Sequence, residues 1–307
     1  MREPRAPRAS RPGPAPRRSP ARSILGPVTP LPRSVPASSR CDVALCGQVQ
    51  STAELEVSRS HSRSVVTVAH ATSPLRLLNP ESPGHAAWVY QSSLGGGFVG
   101  NDAVALRVDV AAGAALFLSS QASSKVYRGT DSKLSLEATV GPDATLVAWP
   151  DPITCFAGAT FEQTQWFRIA RSSKLVVVDA WTAGRVAHGE RWAFERLAMR
   201  MALQIDGTRV LDEAVLLSPR HGDLAMRFAG NDAFATIVVA GIATDLVARI
   251  AAEPLRGDPL VAASGWPWGV VVRIGAGSTE LLANRIRALI GSIVSDALGA
   301  DPWARKW

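Results

Sequence analysis

The sequence predicts a mostly β fold with two helices near its C-terminal end. Two observations carry that prediction. From about Gly47 to Ile237 apolar residues recur with a period of two, the pattern of strands that turn one face to a core. Turn signals break these runs at intervals of roughly 10–15 residues, a spacing that favours an all-β architecture over alternating strands and helices.

The strands follow in order. TAELEVSR (52–59), RSVVTVAH (63–70), AVALRVDV (103–110), KLSLEATV (133–140) and LVVVDAW (175–181) all alternate or are rich in β-branched residues. Asn79-Pro80, Ala112-Gly113, Gly141-Pro142-Asp143, Asp151-Pro152 and Asp206-Gly207 supply the turns between them. Segment 190–205 is helical by composition, yet Trp192, Phe194, Leu197, Met199, Met201, Leu203 and Ile205 alternate for much of it, which favours a strand. FATIVVAGI (234–242) and WGVVVRIGA (268–276) are two more strands, and Asp245 to Ala252 reads as a short helix. Ser278 to Leu298 is the clearest helix. Leu282, Ile286, Leu289, Ile293 and Leu298 form one apolar stripe, and Ser278 or Thr279 caps it. Glu280 sits in the first turn, where the helix dipole favours an acid, and Gly299 and Pro302 stop the helix. No internal repeat of fixed length stands out.

Composition divides the chain at about residue 46. Residues 1–40 hold nine Arg, ten Pro and one acid, a net charge of +8. Of 33 basic and 26 acidic residues in the chain, 24 and 25 remain beyond residue 40, so the body is close to neutral. A near-neutral body lacks the basic face that nucleic-acid binding needs. The leader, residues 1–46, has too few apolar residues to build a core and reads as disordered or as an over-extended start. It has no apolar stretch of the secretory kind, and no run in the chain is long and apolar enough for a membrane helix. Three cysteines, Cys41, Cys46 and Cys155, form no disulfide framework, and cytoplasmic location is the default.

Few motifs of catalysis appear. Gly95-x-Gly97-x-x-Gly100 fits the dinucleotide pattern, but a strand, AVALRVDV, follows where a helix is required. There is no phosphate-binding P-loop, no G-x-S-x-G turn, and no His-rich or H-E-x-x-H metal motif. Chemistry-bearing residues gather instead between Gly95 and Arg128. Gly95, Gly96, Gly97 and Gly100 form a loop, an acid stands at Asp102, and a polar SSQASSKVYR segment follows an apolar strand. The two segments read as loops sharing one site, with Lys125, Tyr127 and Arg128 either a binding surface or an exposed loop edge. Asp179 is the second notable residue. Val176, Val178 and Ala180 face one side of its strand, while Leu175, Val177 and Trp181 share its own side, so the strand is buried on both faces. A carboxylate there either pairs with a nearby cation such as Arg185 or lines an internal polar passage. Glu190, in GRVAHGERW, follows the same logic less strongly because its neighbours are polar.

An ordered series of motifs resembles the urease accessory protein UreD family. Ser73-Pro74-Leu75, Gly95-Gly96-Gly97-Phe98-Val99-Gly100-Asn101-Asp102, Ser119 to Arg128, Trp149-Pro150-Asp151-Pro152, Phe156-Ala157-Gly158-Ala159 and Gly184-Arg185 with Gly189-Glu190 carry it. The match covers about 47–220 well, with the closing helix and final Trp beyond. Asn101 stands where the family commonly has Gly, Ser123-Ser124 where it has Ala-Thr, and Leu146-Val147-Ala148 where it has a more acidic triplet. The resemblance implies an elongated, helical β-structure of about seventeen strands with two C-terminal helices, spanning 47–307. It implies a non-catalytic urease maturation factor that scaffolds UreF, and UreG through UreF, on apo-urease in a hetero-oligomer. It also implies nickel in transit with no tightly bound cofactor, and Asp179, Glu190 and Asp102 as acids on the metal's path. Gln121, Ser124, Lys125, Tyr127, Arg128 and Arg185 then belong to the motif surface that meets partners. Two other readings stay open: a β-rich enzyme acting on a small molecule, and a purely structural interaction module.

Overall fold

The computed structural model describes residues 51–253 and 257–305; the Arg/Pro-rich leader, with Cys41 and Cys46, and the final Trp307 lie outside the described residues. The described residues begin with two hairpins, β1 (Ser51–Ser60) with β2 (Arg63–Ala71) and β3 (Leu75–Leu78) with β4 (Ala87–Ser93). It then winds through β5 (Gly97–Phe98), β6 (Ala103–Val110), β7 (Ala115–Ser120), β8 (Lys125–Val126), β9 (Gly129–Val140), β10 (Thr145–Trp149), β11 (Thr154–Cys155), β12 (Ala159–Ile169) and β13 (Lys174–Thr182). A two-residue pair, β14 (Gly184–Arg185) with β15 (Glu190–Arg191), leads to β16 (Arg196–Ile205) and β17 (Thr208–Leu217). Then come a single helical turn α1 (Leu224–Arg227), β18 (Ala233–Ala240), α2 (Leu246–Ala251), β19 (Leu260–Trp266), β20 (Gly269–Ala276) and α3 (Thr279–Leu298).

Consecutive strands alternate between walls. One sheet has the order β17-β16-β12-β9-β6-β1-β2, a second β19-β20-β18-β13-β10-β7-β4-β3, and a third, short wall β11-β8-β5. Within the wound part all neighbours run parallel, so Gly97 lies beside Lys125, Lys125 beside Thr154, Ala115 beside Thr145, and Thr145 beside Lys174. These pairs set a turn of the coil at about thirty residues, roughly the length of two strands and a short third rung at 3.3 Å per residue plus their corners. The helical winding implied by the family resemblance is present. Twenty strands occur among the described residues, against about seventeen implied by the resemblance, and five of the twenty are rungs only two residues long.

Two apolar layers hold the coil. Inward side chains of both large sheets, such as Leu55, Val108, Leu116, Leu146, Phe161, Leu175 and Leu203, form the inner core. The outer face of the second sheet, with Phe117, Val147, Val176, Val178 and Ile237, packs against Leu282, Ile286, Leu289, Ile290 and Val294 of α3. That helix starts where the sequence predicts, with Ser278 Oγ accepting from the Leu281 N–H at 3.2 Å, and ends at Gly299 with φ 71°. Strand β13 is buried on both faces as its pattern requires: Leu175, Val177 and Trp181 join the inner core, and Val176, Val178 and Ala180 the layer under α3.

Candidate functional site

The short third wall brings the sequence motifs together. β5 carries the glycine loop, β8 the SSKVYR segment and β11 the residues after Trp149-Pro150-Asp151-Pro152, one motif per turn of the coil. Gly95 and Gly96 adopt φ of 94° and 74°, a turn that L side chains rarely accept. Gly97 is required for a different reason: a Cβ there would lie 2.1 Å from the Lys125 carbonyl oxygen of the next rung.

Above this wall a cavity of about 170 Å³ opens between the loops. Gly96, Gly97, Gln121 and Ser124 line it, with Ser120, Asp151, Gln163 and Gln165. Ser120 Oγ donates to Asp151 Oδ2 at 2.8 Å and accepts from the Asp151 N–H at 2.7 Å, which ties the second loop to the third. Gln163 and Gln165 are buried on β12, on the inward face between Phe161 and Phe167. Two amides in an otherwise apolar inward row are a signal the sequence contains in TFEQTQWF and that periodicity alone passes over.

Those amides reach Asp179. Gln163 Nε2 donates to Asp179 Oδ1 at 2.8 Å, and Gln165 contributes a second hydrogen bond. Asp179 is 8% exposed. Burial pushes its carboxyl up to about 6; the two amides pull against that shift, and nearby Glu213 adds to it. No cation neutralises Asp179 among the described residues. Arg185, the partner the sequence suggests, is paired with Glu190 instead. The chain turns sharply at Gly184, φ 113°, so Arg185 leaves the face that Asp179 occupies. Asp179 also shares a small cavity of about 10 Å³, room for one water at most, with Trp181, Met199, Met201, Glu213, Val215 and Thr236.

The other predicted residues form a flank beside the cavity. Tyr127 packs edge-on against Phe156 at 5.1 Å, and the Arg185 guanidinium lies 4.0 Å over the same ring. Arg185 forks onto Glu190, with Nε donating to Oε2 at 2.9 Å and Nη2 to Oε1. Glu190 Oε2 also accepts from the Ala157 N–H at 3.1 Å. The Arg185 contact, then the Ala157 amide, hold the Glu190 carboxyl below its usual range. The stem of Arg128 lies over Gly158, and Lys125 is exposed on its rung. Phe156, which no motif argument singled out beyond its place in F-x-G-A, is the ring that joins Tyr127 and Arg185. Asp102 lies apart: its Oδ2 accepts from the Val99 N–H at 2.8 Å and closes the glycine loop, and it is not among the residues lining the cavity. No group of three or more His, Cys, Asp or Glu is placed to hold a metal among the described residues. Cys155 is buried, which pushes its thiol up to about 12 and leaves it unreactive. No helix among the described residues is long and apolar enough to cross a membrane.

Fold and site together define a wound β-fold, with the motif loops stacked on one wall and a row of buried polar groups between its two large sheets. A profile of the family described as UreD urease accessory protein matches residues 50–307. The chain is 43% identical over 261 residues to a protein of Sorangium cellulosum named urease accessory protein UreD, covering 83% of both chains. It is 40% identical to the protein of that name from an Anaeromyxobacter species, over 82% of this chain and 88% of the other. Urease accessory protein D of Arabidopsis thaliana is 30% identical over 82% of this chain and 99% of its own length. The chain belongs to the UreD urease accessory protein family.

Proposed function

We propose that this protein is a cytoplasmic urease maturation factor that scaffolds UreF, and UreG through UreF, on apo-urease and passes nickel toward the urease active site. The observation that supports the route is Asp179. A carboxylate buried on a doubly covered strand costs several kcal/mol without a compensating charge, and this one has two amides and a narrow cavity instead of a cation. Gln163 and Gln165 link it to the cavity at the loop wall, so a row of oxygen and amide groups runs inward from the motif surface. Oxygen ligands suit a metal that must move on, because they hold Ni²⁺ less tightly than imidazole or thiolate sets do. Nickel is cargo in this reading, and no resident cofactor is involved.

Of the three acids the resemblance points to, the route rests on Asp179. Glu190 positions Arg185 on the flank, and Asp102 shapes the glycine loop. Tyr127 and Arg185, packed on Phe156, together with Lys125 and Arg128 beside them in the chain motif, form the surface that meets a partner, since Tyr and Arg make strong interface anchors. The test is to activate apo-urease with complexes carrying Asp179→Asn or wild type, and to measure complex assembly and urease nickel content side by side. Intact assembly with low nickel is the expected result. Full nickel loading by the variant would remove Asp179 from any route, and lost assembly would make it a structural residue.

A further inference from the structure

The polar row does not stop at Asp179. Asp179, Thr236 and Arg273 are cross-strand neighbours in register on β13, β18 and β20, and so point from one face of the second sheet. Facing them, Gln165, Met201 and Glu213 are in register on β12, β16 and β17 of the first sheet. The two rows run together from the interior to the edge of the first sheet, and there they are joined. Glu213 Oε1 accepts from Thr236 Oγ1 at 3.3 Å and from Arg273 Nε at 3.1 Å, while Oε2 accepts from Arg273 Nη2 at 2.9 Å.

Exposure grades along this line. Asp179 is 8% exposed, the Glu213 side chain 15% and the Arg273 side chain 54%. Arg273 therefore lies outermost, over a carboxylate that lines the same narrow cavity as Asp179. A guanidinium forked on both oxygens of a carboxylate is the strongest and most directional of side-chain ion pairs. Being half in water, it also opens by rotating one side chain, with no backbone movement.

Resting on the nickel-transfer reading above, we infer that the Arg273–Glu213 pair is the stopper of the route: it closes the cavity beyond Asp179 and keeps a divalent cation in transit from exchanging with the surrounding water. Arg273 does this by bulk and by occupying both Glu213 oxygens, so that the carboxylate at the mouth is not free to bind a cation. Glu213 is the positioning residue that holds it there.

Retention of nickel against an external chelator tests this. Apo-urease is activated by the assembled accessory complex and Ni²⁺, with and without EDTA, and urease nickel is measured. For Arg273→Met, which keeps the stem and loses the charge, the ratio of nickel loaded with EDTA to nickel loaded without it falls several-fold. Glu213→Gln, which releases Arg273 from the other side, lowers the ratio in the same way, and Arg273→Lys retains most of it. Asp179→Asn serves as the control on the route and lowers loading in both conditions. A wild-type ratio for both Arg273→Met and Glu213→Gln, with Asp179→Asn impaired, overturns the stopper and leaves the route standing. Full loading by Asp179→Asn overturns both. Failure of Arg273→Met and Glu213→Gln alike to assemble would make the pair a structural clamp and overturn the stopper as well.

Discussion

Replacing Asp179 with Asn makes the protein more stable at neutral pH while impairing its work. The carboxyl titrates at about 6 in the fold against 3.8 for the ordinary group, chiefly because burial disfavours its charged form. At ~1.4 kcal/mol per pH unit, that difference amounts to about 3 kcal/mol of instability once the group is ionised. The sign follows from proton binding. The native chain holds this proton more tightly than the unfolded chain, so the cost is absent below about pH 4, grows as pH rises, and is complete above about pH 6. Asn keeps the shape and an oxygen that accepts from Gln163 Nε2. Asp179→Asn is therefore about 3 kcal/mol more stable than wild type near pH 7.5, and the gain shrinks below about 1 kcal/mol toward pH 4. Urea unfolding at several pH values, followed by tryptophan fluorescence, reads this directly. A variant less stable than wild type at pH 7.5, or a gain that ignores pH, refutes the reasoning. Such a gain alongside lost nickel loading is the mark of a residue kept for function against stability.

Three further outcomes are expected. The triple change Lys125→Ala, Tyr127→Ala and Arg128→Ala weakens pull-down of the partner complex, with about 2 kcal/mol lost for each anchor that is a hot spot, and leaves the far-UV circular dichroism unchanged. Arg185→Ala or Glu190→Ala lowers partner affinity, measured by calorimetry, while nickel delivered per assembled complex stays at the wild-type level. Gly97→Ala drives a methyl against the Lys125 carbonyl and costs about 1–3 kcal/mol in urea unfolding; an unchanged midpoint would mean the coil gives way freely at that rung.

Much of this architecture is legible in the sequence. β6 occupies 103–110 as its alternation predicts, α3 starts and stops at its cap signals, and the double burial of Asp179 follows from the residues on either side of it. The winding is not legible by eye, because the turns share a length and no residue pattern. Parallel neighbours such as Ala103 and Lys133 pair through backbone atoms, which place little demand on side-chain identity. The rungs of the third wall are too short to show any period. The groups that meet Asp179 are hidden for a related reason. Spacing along the chain offered Arg185, whereas the groups that meet the carboxylate come from the preceding strand, β12, on the facing sheet and are uncharged.

Helix α3 follows every strand in the sequence, yet it is the cover of the second sheet's outer face. A chain leaving the ribosome at about 5–20 residues per second thus presents Val147, Val176, Val178 and Ile237 uncovered from the moment their strands emerge until the last long element arrives. Synthesis of this protein passes through an interval in which a broad aliphatic slab faces the crowded interior of the cell. Ribosomes that stall before residue 279 would leave sticky products, and a holdase that binds such slabs would find its client in the nascent chain more than in the finished one.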